Sequence, residues 1–135
     1  MNNVIDDRKK IAIQIHARRG QKKFRNKLIN IYNSKCAFTD CEITDMLEAA
    51  HIFSFKGSET NKIQNGILMR SDIHTLFDLG LISVDPENYL IQVSDKILTD
   101  TYYAQMHNKI LSLPNILEDY PDKNALKYHF ENVFN

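Results

Sequence analysis

The spacing of apolar residues in the middle of the chain predicts a strand, a second strand and a helix in succession. Residues 47–52 and 66–69 are short, mainly apolar runs bounded by polar residues, and both fit buried strands that pair as a hairpin. Ser71 is a good helix-opening residue, apolar positions then follow helical spacing, and Gly80 lies where a helix commonly ends in the left-handed conformation. The pattern therefore predicts a strand–loop–strand–helix unit over residues 47–80.

The segment before this unit predicts a short strand followed by an amphipathic helix. Ile11, Ile13 and Ile15 alternate with polar residues, as in a strand, and Gly20 interrupts the alternation. Over residues 21–33 the apolar positions recur at helical spacing, so we expect a helix with a buried apolar stripe and basic residues on its opposite side.

The segment after the unit predicts a second hairpin and C-terminal helices. Residues 85–88 form a proline-containing turn sequence between the apolar runs 81–84 and 89–93. This hairpin would extend or brace the first one. Residues 99–108 and the segment that begins at Pro121 both have helical spacing.

Composition agrees with one soluble globular domain. The chain is 43% hydrophobic and 25% charged, and its 135 residues are enough for one core. No apolar run approaches the roughly 20 residues that a membrane span needs, and the N-terminus is charged rather than signal-like. We therefore expect a single cytoplasmic domain over residues 1–135, with no membrane partner. Cys36 and Cys41 are the only cysteines and no second pair follows, so no structural zinc is expected.

A net charge of zero hides a strong charge asymmetry. Residues 1–35 hold ten Lys or Arg against two Asp, a charge of +8, whereas residues 36–135 carry −8. A basic arm of this kind neutralises phosphates in nucleic-acid-binding proteins, although a solvated helix face gives the same pattern. The cations considered for nucleic-acid contact are Arg18, Arg19, Lys22, Lys23 and Arg25 in the arm, Lys56 in the loop between the two strands, and Arg70 after the second strand.

Four polar side chains of types used in catalysis and metal binding lie inside or beside the apolar segments of residues 47–80. His74 and Asp78 are four residues apart on the predicted helix, so an imidazole nitrogen and a carboxylate oxygen face the same point. Hard divalent ions accept such a pair. His51 ends the first strand and Asn65 precedes the second. A lone histidine in an apolar strand is usually a satisfied core residue, so His51 by itself does not define a site.

The order His51, Asn65, His74 resembles the HNH endonucleases, whose ββα-metal unit carries His, Asn and His. The strings Leu-Glu-Ala-Ala-His-Ile, Asn-Gly-Ile-Leu-Met-Arg and His-Thr-Leu-Phe-Asp-Leu-Gly are similar to those of the subfamily found in restriction and other prokaryotic defence proteins. The resemblance implies that His51 is the general base and that Asn65 pins the loop and orients this base. It also implies that His74 and Asp78 bind one divalent ion, Mg²⁺ or Mn²⁺.

The fold that follows from the resemblance is α+β, with a ββα-metal (His-Me finger) core. A basic N-terminal helix, the second hairpin and the C-terminal helices are added to that core. The chain departs from many HNH enzymes at Ala50, where they place a metal-ligating Asp or His. Glu48, on the same face of an extended strand, or water could take the place of that ligand.

The implied activity is metal-dependent hydrolysis of DNA phosphodiester bonds, in restriction or phage defence. The expected partner is DNA, and the chain would act either as a homodimer or attached to a larger defence protein. Two alternatives stay open. One is an RNase with the same site, and the other is a catalytically impaired nucleic-acid-binding module, which Ala50 motivates.

Overall fold

A computed structural model describes residues 3–54 and 57–135 of the chain. Its helices and strands are α1 (Asn3–Arg19), α2 (Lys22–Ile31), β1 (Leu47–His51), β2 (Gly66–Arg70), α3 (Ser71–Asp78), β3 (Ile82–Val84), β4 (Ile91–Val93), α4 (Thr101–Ala104) and α5 (Lys123–Tyr128). A π-helical turn (His129–Val133) continues α5, and short 3₁₀ turns lie at Thr44–Met46, Ser58–Thr60, Ile63–Asn65, Asp95–Ile97 and Leu117–Asp119. The fold is α+β, as predicted. No helix within the described part is long and apolar enough to span a membrane.

The predicted strand–loop–strand–helix unit is confirmed. Strands β1 and β2 pair antiparallel, with His51 opposite Gly66 and Leu47 opposite Arg70. Helix α3 starts directly after β2, and Gly80 adopts the left-handed φ of +74° expected after a helix end. Both strands are buried along nearly their whole length because α2 and α3 pack on them. Two-sided burial explains why apolar residues occupy consecutive positions in these strands rather than alternate ones.

Helix α2 lies on the β1–β2 hairpin through the apolar stripe that its spacing predicted. Phe24 and Leu28 are completely buried there. The helix begins where Gln21 caps it, because the Gln21 side chain accepts a hydrogen bond of 2.7 Å from the Phe24 amide. Burial of these two large side chains ties the basic N-terminal region to the strand that carries His51.

The predicted strand at Ile11, Ile13 and Ile15 is wrong, because these residues belong to the 17-residue helix α1. Their exposed fractions are 54%, 67% and 44%, so the alternation does not mark a buried face. A helix pairs its own backbone groups, whereas a strand needs a neighbour to pair with. Gly20 does end the element, at a φ of +99°, and a Cβ there would lie only 3.0 Å from the Ala49 carbonyl oxygen.

The second hairpin forms as predicted but does not extend the first sheet. Strands β3 and β4 pair antiparallel in a two-stranded sheet of their own, and β3 packs against α3. The hairpin therefore braces the central unit through its helix. The predicted helix at residues 99–108 is shorter than expected, because Asn108 adopts a left-handed φ of +65° and its amide bonds to the Ile91 carbonyl at 2.7 Å.

His129 is part of the C-terminal core that supports α3. Its ring stacks on Phe77 with the centroids 3.7 Å apart. Nε2 donates to the Phe77 carbonyl oxygen at 2.8 Å, and Nδ1 accepts from the Ser83 hydroxyl at 2.7 Å. Burial lowers the pKa of His129, which favours this neutral, fully hydrogen-bonded ring.

Candidate active site

Three of the predicted site residues line a single open cleft. His51 at the end of β1 and His74 and Asp78 of α3 surround a cavity of about 330 Å³ together with Ser54. They meet because β2 pairs with β1 and then leads directly into α3. The fourth predicted residue, Asn65, lies beneath the loop that follows His51.

Both ring nitrogens of His74 face carboxylates. Nδ1 lies 2.6 Å from Oε1 of Glu48, and Nε2 lies 3.3 Å from Oδ2 of Asp78. A carboxylate accepts hydrogen bonds and does not donate them, and a neutral imidazole has a single N–H. Because the contact with Glu48 is the shorter of the two, it favours the neutral ring with its proton on Nδ1. The Nε2 lone pair and the Asp78 oxygen then converge on the cleft. Two electron-rich atoms this close are stabilised by a cation between or beside them.

The pKa of the Asp78 carboxyl is raised above its ordinary value. Desolvation of the carboxyl group raises its pKa, while the neighbouring His74 and Arg18 act in the opposite direction. Arg18 itself reaches the cleft from the end of α1. Its Nη2 donates to the Thr75 hydroxyl at 3.0 Å and lies 3.7 Å from Oε1 of Glu48. Arg18, which we predicted to contact nucleic acid, therefore lies beside the candidate metal ligands.

Two of the residues that contact the His51 ring, Asn61 and Phe24, were not assigned to the site from the sequence. Its Nε2 lies 2.7 Å from the Asn61 side-chain oxygen, and its ring stacks on Phe24 at 4.7 Å with the planes 13° apart. The Asn61 oxygen can only accept, so Nε2 carries the proton and Nδ1 the lone pair. No spacing rule pointed to Asn61, since its contact depends on the path of the loop. The helical spacing identified Phe24 only as a core residue.

Asn65 fastens the loop between the two strands at both ends. Its side-chain oxygen accepts from the Phe53 amide at 2.9 Å, and its side-chain nitrogen donates to the carbonyls of Phe53 and Thr60 at 3.1 and 3.0 Å. The direct contact with the His51 ring comes from Asn61 instead. Asn65 thus acts on the ring through the loop backbone.

Two of the arginines in the basic arm are bonded to backbone carbonyls near the start of β1. Nη2 of Arg19 donates to the Asp45 carbonyl at 2.8 Å. Arg25 donates to the Leu47 carbonyl at 3.0 Å and to the Thr44 carbonyl at 2.8 Å. Desolvation lowers the pKa of Arg25. Through these contacts Arg19 anchors α1, and Arg25 anchors α2, to the segment that leads into β1. Both arginines therefore have a structural role whether or not they also contact nucleic acid.

The lysines of α2 face solvent. Lys22, Lys23 and Lys27 line a surface furrow with Gln21, Asn26 and Asn30, which we call the lysine furrow. Arg70 differs from these lysines, because its guanidinium donates hydrogen bonds of 2.6 and 2.8 Å to the two oxygens of the Asp72 carboxylate. This ion pair raises the pKa of Arg70 and lowers that of Asp72. Lys56, the remaining predicted cation, lies outside the described residues.

The residues present fit one hard cation with a mixed shell of protein and water ligands. No group of three His, Cys, Asp or Glu side chains is arranged for a metal within residues 3–54 and 57–135. The predicted ligands His74 and Asp78 lie with Nε2 and Oδ2 3.3 Å apart, which is close to the roughly 3.0 Å between neighbouring ligands of an octahedral Mg²⁺. Ala50 is fully buried and cannot contribute, while Glu48 contacts the far side of the His74 ring. Water can complete the shell, since Mg²⁺ usually retains several water ligands.

Comparison with known proteins points to the same unit. Residues 36–85 match the family model described as HNH endonuclease. Among solved structures, a chain titled "Modification dependent TagI restriction endonuclease" superposes with a TM-score of 0.61 at 12% identity, covering 84% of this chain and 39% of that one. The present chain thus spans well under half of that protein, and the likeness shows a shared fold. No curated protein sequence matches the chain. The ββα unit of this chain, which lies within residues 36–85, therefore matches the HNH endonuclease family, as the resemblance predicted.

Proposed function

We propose that the chain is a divalent-metal-dependent endonuclease that hydrolyses DNA phosphodiester bonds in restriction-type defence. The observation that carries the proposal is the meeting of His51, His74 and Asp78 in one open cleft. A proton acceptor opposite a pair of metal ligands is what hydrolysis of a phosphodiester requires.

The metal pair is His74 and Asp78, which would hold Mg²⁺ or Mn²⁺ through Nε2 and Oδ2. When bound, the ion supplies Lewis-acid stabilisation of the charge that develops on the phosphate and the leaving oxygen. The chain contributes the geometry, because α3 holds both ligands on one face and Glu48 holds the other side of the histidine ring.

His51 is the general base of the proposed reaction. With its Nε2 proton bonded to Asn61, the ring takes up the proton of an attacking water at Nδ1. The stacked Phe24 ring fixes the plane of the imidazole and can stabilise the imidazolium that forms. General-base help of this kind is typically worth about 10²–10⁴-fold in rate.

DNA as the substrate is supported by charge and by the structural neighbour. Arg18 lies beside the candidate metal ligands, and the lysine furrow is a further basic surface on the helix whose Phe24 stacks on His51. Basic surfaces of this kind neutralise DNA phosphates. The neighbour in fold is titled a restriction endonuclease. One cleft cuts one strand, so cleavage of a duplex would use a homodimer or a larger defence protein that carries this unit.

Cleavage of supercoiled plasmid tests the proposal. Wild-type protein should give nicked or linear DNA with Mg²⁺ or Mn²⁺ and none with EDTA. His51→Ala and Asp78→Asn should lose at least about 100-fold in rate, while His16→Ala, which removes an exposed histidine of α1, should cut normally.

Each contrary outcome overturns a defined part of the proposal. Wild-type cleavage by His51→Ala would remove His51 as the base. Cleavage of RNA but not of plasmid would change the substrate to RNA. Binding of Mn²⁺ without cleavage of plasmid or RNA would identify a catalytically impaired nucleic-acid-binding module.

A further inference from the structure

Glu48 is a buried carboxylate in an otherwise apolar strand. It is 5% exposed, and its neighbours in β1, Leu47 and Ala49, are 0% and 3% exposed. Taking a carboxylate out of water is costly unless it gains strong partners, so its position needs a reason. Its partners are the His74 ring at 2.6 Å and, more distantly, the Arg18 guanidinium at 3.7 Å.

The contact with His74 determines which ring nitrogen faces the cleft. Glu48 accepts the Nδ1 proton and thereby leaves Nε2 unprotonated in the neutral ring. In the opposite tautomer the proton would lie on Nε2 and point into the cleft. The Nδ1 lone pair would then face the Glu48 oxygen at 2.6 Å, and the two would repel each other. The buried carboxylate therefore excludes the tautomer that cannot bind a cation.

We propose that Glu48 is a positioning residue that holds His74 in the metal-binding tautomer and orientation. The inference rests on the proposed function, since it assigns His74 as a metal ligand. A carboxylate hydrogen-bonded to the far nitrogen of a ligating histidine both fixes the ring and increases the basicity of the ligating nitrogen. Loss of such a partner typically costs about 10–100-fold in metal affinity.

Direct ligation of the metal by Glu48 is the competing role, and two substitutions separate it from positioning. Glu48→Gln keeps an oxygen that can accept the Nδ1 proton but removes the charge that a direct ligand would supply. Glu48→Ala removes both. Positioning predicts that Mn²⁺ affinity, measured by titration calorimetry, falls about 10–100-fold in Glu48→Ala and much less in Glu48→Gln. Direct ligation predicts similar losses in both variants.

A second readout needs neither metal nor catalysis. Two-bond ¹H–¹⁵N correlation spectra of the metal-free protein in alkaline buffer report the tautomer of each neutral histidine. We expect the Nδ1–H form of His74 in wild type and in Glu48→Gln, and a mixture in Glu48→Ala. Thermal melting of each variant establishes that the protein is folded, and Glu131→Ala is the exposed, remote control.

The outcomes separate this inference from the proposed function. Wild-type protein that does not bind Mn²⁺ would overturn the proposed function. Wild-type binding with unchanged affinity in Glu48→Ala, or a wild-type His74 with its proton on Nε2, would overturn the role of Glu48 alone. Equal losses in the Gln and Ala variants would replace positioning with direct ligation.

Discussion

Substitution of Gly66 by alanine should destabilise the fold and disturb the proposed catalytic base through one defined contact. Gly66 opens β2 with φ −130°, an extended conformation that alanine also adopts, so the cost is not one of backbone strain. A Cβ at this position would lie 2.5 Å from Cζ of Phe24 and 2.8 Å from Cδ1 of Leu28. Both side chains are buried, and Phe24 is stacked on His51.

The size of the effect follows from the overlap. Ordinary contacts between carbon atoms are about 3.5–4.0 Å, so the Phe24 ring must move by about 1 Å. Overpacking of this kind costs about 1–3 kcal/mol in the free energy of unfolding. The smaller conformational entropy of alanine in the unfolded chain offsets roughly 0.4–1 kcal/mol of that cost. The net cost is about 0–2.6 kcal/mol, so for a domain of this size we expect the melting temperature to fall by up to about 10 °C.

Urea unfolding of Gly66→Ala, Phe24→Leu and the double variant measures the contact. If the ring is the obstacle, Gly66→Ala costs less in the Phe24→Leu background than in wild type, with a coupling energy of about 0.5–3 kcal/mol. Part of the cost remains because the contact with Leu28 is still present. Plasmid cleavage by folded Gly66→Ala should also be slower, since the displaced ring no longer supports His51. Equal costs of Gly66→Ala in both backgrounds would refute this reasoning.

Three further predictions concern the base, the core and the DNA contact. Asn61→Ala should lower kcat by roughly 10–100-fold with DNA affinity unchanged. Asn61→Asp retains an acceptor for the His51 N–H and should keep more of the cleavage rate. Normal cleavage by Asn61→Ala would show that this contact has no role in catalysis. Burial lowers the pKa of His129 below its unfolded value of about 6.5, so the unfolded state takes up the proton first and stability should fall as the pH drops below about 6.5. In urea unfolding at about pH 7.5 and pH 5.5, His129→Phe should lose this pH dependence, and an unchanged dependence would assign it to other groups. Replacing all three lysines of the lysine furrow by glutamine should reduce the slope of log Kd for DNA against log salt concentration by about 2–3. The control variant with Lys109→Gln and Lys127→Gln should keep the wild-type slope. An unchanged slope in the triple variant would show that DNA does not contact the lysine furrow.

The central unit was predictable because its signals are local. Continuous apolar runs, a helix-opening residue and a glycine after the helix define β1, β2 and α3 within 34 residues, residues 47–80. The position of His74 and Asp78 on one face follows from helix geometry alone. The same approach failed at α1, where alternation of Ile11, Ile13 and Ile15 predicted a strand, because periodicity does not reveal whether a neighbouring strand exists to pair with it.

The partners of the two histidines were beyond sequence reasoning. Asn61 reaches His51 across a loop whose backbone Asn65 binds at Phe53 and Thr60, and residue spacing does not encode the path of that loop. The alternation of side chains along a strand suggests Glu48 as a metal ligand but does not reveal its contact with His74. Glu48 contacts the side of the His74 ring that faces away from Asp78, since α3 packs on β1 at this point.

Residue identity and regular backbone geometry were enough to predict the elements of the ββα unit and the types of chemical group that it carries. Packing between elements, in contrast, established how those groups are held: which side chains contact the His51 and His74 rings, and which arginines are bonded to backbone carbonyls. A hydrogen bond or a ring contact depends on distances of a few ångströms between elements distant in sequence. Packing sets those distances, and no local spacing of residues encodes them.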